Sequence, residues 1–166
     1  MKRKALLPLL LVLLALSSCG DRAAGGSPVD DGSFKWLQSE INILFSADKD
    51  TYVADDELMT FTLQNYTGHT TYYNDEHYYV QRVEDNQWTT VPVLPEMQER
   101  HRSPPDKACL LFEGESASIH LLATRMYGKF PPGRYRYILE ANGRIDVNHN
   151  EFRAVEGYVA AEFTVK

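Results

Sequence analysis

Pro131-Pro132-Gly133-Arg134-Tyr135-Arg136-Tyr137-Ile138-Leu139-Glu140 is the stretch on which the reading of the fold turns. Two prolines stiffen the approach, and Gly133 then supplies a residue able to take φ > 0, so the run opens on a turn. Behind it Tyr135, Tyr137 and Leu139 alternate with Arg134, Arg136 and Glu140, one face bulky and the other charged. Period two over that length predicts a half-buried antiparallel strand.

Segments of the same kind lie on both sides. Val159, Ala161, Phe163 and Val165 alternate after it; before it come Ile41, Ile43 and Phe45, then Met59, Phe61 and Leu63. Tyr72 to Val83 is rich in Tyr and Val, and Glu84-Asp85-Asn86-Gln87 is a hairpin signal that returns the chain through Trp88 to Val91. Ala117 to Leu122 completes a set of about seven strands. The connections are a polar turn around Tyr52, a short helical turn at Ala123 to Gly128, a turn at Ala141-Asn142-Gly143 and a polar loop from Asp146 to Glu151. Pro92 to Pro105 reads as a long loop with one helical turn near Glu96 to Arg100. No amphipathic helix stands out, so the pattern predicts an all-β antiparallel sandwich. Trp88, Phe61, Tyr135 and Phe163 are its expected inward aromatics.

Three regions divide the chain. Residues 1–18 have a basic start at Lys2, Arg3 and Lys4, an apolar run from Ala5 to Leu16 and small residues at Ser17-Ser18, the layout of a cleaved export signal. Twelve positions are short for a spanning helix, which needs roughly twenty. Leu16-Ser17-Ser18-Cys19 resembles the lipobox of bacterial lipoproteins. The resemblance implies cleavage before Cys19, lipid on its sulfur and acylation of its new amine, and hence an exported protein held at the cell membrane or outer membrane. Residues 19–39 have the composition of a flexible linker; within it Phe34, Trp36 and Leu37 either flank a strand or dock on the domain. Residues 40–166 are long enough for one domain with a single core.

Loss of the leader removes three of the 17 Lys and Arg and none of the 23 Asp and Glu, leaving a net charge of −9. Such a domain lacks the basic footprint that nucleic acid demands. With Cys19 lipidated, Cys109 stands alone among apolar neighbours, which favours a buried, inert thiol.

Signatures of catalysis are missing. His69, His77, His101, His120 and His149 show no helical metal-ligand spacing, and Gly-x-Ser-x-Gly does not occur. Asp146-Val147-Asn148-His149-Asn150 begins like a calcium loop, but Glu151 stands where that loop needs glycine and Gly157 where it needs a bidentate glutamate. No metal or cofactor is expected, and the chain reads as no enzyme. Asn65-Tyr66-Thr67 fits a glycosylation sequon that an exported bacterial protein has no reason to use. Tyrosine is the suggestive excess. Tyr72 and Tyr73 with Asp75, Glu76 and His77 form the densest aromatic-polar cluster, the composition of an adaptable interface.

The order Tyr52, Glu57, Phe61-Thr62-Leu63, Asn65, then Trp88 and Val91-Pro92, then Gly114-Glu115-Ser116, then Pro132-Gly133-Arg134-Tyr135-Arg136, then Ala161-Glu162-Phe163 resembles a bacterial immunoglobulin-like domain. It is also similar to the small proteinase-inhibitor-type sandwiches of bacilli. The first resemblance implies a non-catalytic binding or structural module of the cell envelope, with an envelope protein or glycan as partner. The second implies an inhibitor of an exported protease that presents Pro92 to Pro105.

Overall fold

Strands with one apolar face must bury it against a second layer, and here two sheets bury theirs against each other. The computed structural model describes residues 30, 32, 34–99, 108–148 and 151–166. The leader and Cys19 therefore lie outside the described residues, as do His101, Pro104, Pro105, His149 and Asn150. No described helix is long and apolar enough to cross a membrane.

Nine strands occur among the described residues: β1 (Ile43–Ala47), β2 (Thr51–Tyr52), β3 (Met59–Asn65), β4 (Thr71–Glu84), β5 (Gln87–Thr90), β6 (Cys109–Leu111), β7 (Ser116–Leu121), β8 (Gly133–Asn148) and β9 (Glu151–Val165). The smaller sheet has the order β1-β3-β7; the larger runs β2-β9-β8-β4-β5, with β6 also paired to β4. The ladders are antiparallel except for β2, which runs parallel to β9. One short helix, α1 (Ala123–Tyr127), stands where a helical turn is expected. Asp85 and Asn86 both take positive φ, at 48° and 62°, the mark of a tight primed hairpin turn between β4 and β5.

The all-β sandwich is thus present, with several departures from the sequence reading. β2 and β6 add two strands, because two or three residues carry too little alternation to be read. Ala141-Asn142-Gly143 is no turn, and the polar loop expected from Asp146 to Glu151 is narrower: the β8–β9 ladder runs on with Ala141 opposite Gly157, Gly143 opposite Val155, Asp146 opposite Phe152 and Asn148 opposite Glu151. Gly143 is there for a close approach, since a Cβ on it would lie 2.6 Å from Ile41 Cδ1. Part of the long loop is also packed, with Val93 and Met97 against the core and the Leu94 N–H donating to Met126 O at 2.9 Å.

Phe61 on β3 is the centre of the core. Its ring lies 4.7 Å from Tyr137, 5.5 Å from Phe163 and 5.8 Å from Phe45, measured between centroids, so it joins both sheets. Tyr135 is buried on the same side, stacked on Phe163 at 5.5 Å.

Trp88 is a further departure. It is buried, yet it stands outside the inter-sheet core and packs on the opposite face of the larger sheet, against Arg136. That outer face is covered at this end by the segment read as linker. Leu37 is fully buried in the core, and Trp36 forms a parallel bridge to Tyr158 on the edge of β9. Packing therefore begins ahead of Glu40. The cover also explains why Arg136 and Ile138, on the face expected to be solvated, are buried.

Candidate binding surface

Farther along the outer face the cover ends and apolar side chains are left open. Tyr72, Leu110, Phe112 and Phe152 are between 41 and 55 % exposed, whereas most large apolar residues of the domain are buried. Tyr72 and Leu110 are paired across β4 and β6. With His69, Phe112, Glu113 and Arg144 they line a cleft of about 600 Å³. Phe152 packs edge-on against the His69 ring at 5.0 Å, extending the aromatic surface beyond the cleft.

One buried side chain sets the walls. Asn65 Nδ2 donates to His69 O at 2.7 Å and to Leu111 O at 2.8 Å, tying the 66–70 loop to β6. Its Oδ1 accepts from the Thr67 N–H and hydroxyl at 3.0 and 2.7 Å. Its backbone pairs with the turn at Gly114 and Glu115, and Glu115 in turn accepts the Phe112 N–H at 3.0 Å. All hydrogen-bonding capacity of the Asn65 amide is used in a fully buried position, so the sequon asparagine has a structural role.

The five residues singled out for partner contact are divided by this geometry. Tyr72 lines the cleft. Tyr73 turns to the other side, packing on the core beside Cys109, and its hydroxyl is pushed up to about 12 by burial and by the neighbouring thiol. Asp75, Glu76 and His77 fall in a bulge, where the register of β4 on β8 shifts between Asn74 and Tyr78. Asp75 accepts a long contact from Cys109 Sγ at 3.8 Å, and Glu76 is exposed, its N–H held by Asn74 Oδ1 at 3.0 Å. The His77 side chain lies outside the described residues.

Cys109 is half-buried; burial and the adjacent Asp75 carboxylate raise its thiol pKa, which disfavours the nucleophilic thiolate. Among the described residues no three His, Cys, Asp or Glu side chains gather as a metal site would require.

Sequence reasoning missed His69, Leu110, Phe112, Arg144 and Phe152 as surface residues. Leu110 and Phe112 stand in an apolar run around Cys109, which reads as core. Only their period-two spacing, with Leu111 between them turned inward, hints that they share an outward face.

Neither the curated proteins nor the solved structures give a significant match to the chain. The family model of the bacterial Ig-like domain does match, over residues 39–153, from just before β1 through β8 and into β9. On that match and the two-sheet architecture, the chain belongs to the bacterial Ig-like domain family.

Proposed function

We propose that this protein is an exported, non-catalytic binding module of the bacterial envelope, held by lipid on Cys19. Its outer-face cleft meets a protein or glycan partner. The family supports a non-catalytic module. The observation that carries the binding reading is the exposed cluster of Tyr72, Leu110, Phe112 and Phe152 beside the Arg144 guanidinium. Large aromatic side chains with an arginine are the groups that supply most of the energy at protein interfaces.

Support for the anchor comes from the sequence alone: a basic start, an apolar run and Leu16-Ser17-Ser18-Cys19. It is tested by expressing wild-type and Cys19→Ala protein with a labelled fatty acid. Wild type incorporates label and partitions into detergent, and the variant does neither. Labelling of the variant would refute lipidation at Cys19.

A further inference from the structure

The covered end of the outer face is built like an occupied site. Arg136 has a side chain only 7 % exposed, and its guanidinium carbon lies 4.6 Å from the Trp36 ring centroid and 4.5 Å from that of Trp88. Gln81 Oε1 accepts from its Nε at 2.7 Å and also from its Nη2. The counter-charge comes from Asp30, whose Oδ2 is 3.0 Å from Nη1 and also accepts the Trp36 indole N–H at 2.8 Å.

Backbone pairing continues the same contact. Lys35 O accepts the Tyr158 N–H at 2.8 Å, and the Gln38 amide brackets Ala160, donating to its carbonyl at 3.0 Å and accepting its N–H at 2.9 Å. Gly157 has no side chain where a Cβ would strike Lys35 O. Phe34 sits on Tyr79 and Tyr158, 5.4 and 4.9 Å away.

Residues 30–38 precede the matched family domain, whereas Tyr79, Gln81, Trp88 and Arg136 fall within it. The β4, β5 and β8 side chains, with the β9 edge at Gly157, Tyr158 and Ala160, thus form a groove that the segment carrying Asp30, Phe34 and Trp36 fills. A buried guanidinium requires an anion, so an occupant without a carboxylate would leave that charge unpaired.

We propose that this groove is a binding site for an extended peptide bearing a carboxylate and an aromatic residue, with the segment carrying Asp30, Phe34 and Trp36 as its resident occupant. A partner peptide displaces the resident. Its carboxylate takes the place of Asp30 on Arg136, its aromatic ring stacks where Trp36 lay, and its backbone joins the edge of β9. This site is separate from the Tyr72 cleft and does not depend on it.

The probe is a labelled synthetic peptide with the sequence of residues 28–38, offered to the full chain. In wild type the resident segment competes, so the peptide binds at least tenfold more weakly than to the Asp30→Ala/Trp36→Ala double variant, because only the open fraction of wild type is competent (about one part in ten or less). A peptide carrying Ala in place of Asp30 binds neither protein. Failure of a variant with an unchanged melting transition to bind the peptide overturns the proposal, as does equal binding of the Asp and Ala peptides. Should the double variant not fold, amide exchange in wild type decides. The Tyr158 N–H exchanges by local opening, well ahead of the β8–β9 ladder amides. Exchange of that amide only through global unfolding would show a fixed structural element and overturn the proposal.

Discussion

Phe61 has its ring against both sheets and no exposure, so its removal leaves a cavity that neither sheet closes by moving alone. Phe61→Ala is expected to cost about 3–5 kcal/mol in denaturant unfolding, the range for a buried aromatic; a loss below about 1 kcal/mol would match a surface position instead. The buried tyrosines give a second prediction. Burial raises the hydroxyls of Tyr73, Tyr127 and Tyr137 above the ordinary value of 10.0. A raised folded-state pKa contributes stability that is complete below the unfolded value and lost as pH climbs through the folded one. Stability is therefore expected to be intact up to about pH 10 and to fall as pH rises toward 12, the value reached by Tyr73. Phenolate absorbance from Tyr127 and Tyr137 should appear together with unfolding. Its appearance in a still-folded protein would contradict their burial.

At the scale of elements, Asn65 links β3, the 66–70 loop and β6 through one side chain. Asn65→Ala is expected to cost about 1–3 kcal/mol, because it removes the amide donor to Leu111 O and the acceptor of the Thr67 N–H, and leaves the Thr67 hydroxyl as a donor to His69 O. It should also speed amide exchange in the 66–70 loop before the β8–β9 ladder responds; uniform exchange across the domain would argue against a local tie. Elements also show what was legible in the sequence. The strands with clean alternation, β1, β3, β7 and the start of β8, are read correctly because one face of each meets the core. Ala141-Asn142-Gly143 misleads because its glycine serves packing on Ile41, and glycine for a close approach looks in sequence like glycine for a turn. Tyr72 and Tyr73 are adjacent in sequence, yet the pleat sends them to opposite faces, so composition finds the cluster and cannot assign its members. Arg136 looks solvated because the segment that covers it, from Asp30 to Trp36, lies more than a hundred residues earlier. Nothing local signals that contact.

For the whole molecule, one sheet face does two jobs. Its inner side closes the sandwich, and its outer side is covered at the Arg136 end and open at the Arg144 end. Eight residues of extended strand separate these points, about 27 Å. Asp30 lies at the covered end, well away from the cleft. The most direct test of this arrangement places a photo-crosslinking aromatic amino acid at Tyr72, at Phe112 or at Val53 of the full-length protein in intact cells. Val53 is 55 % exposed like Phe112 but directly follows β2, outside the cleft. The account predicts discrete adducts of the same partner from positions 72 and 112 and none from 53. Absence of adducts at both cleft positions, or the same adducts with equal yield at 53, would contradict it.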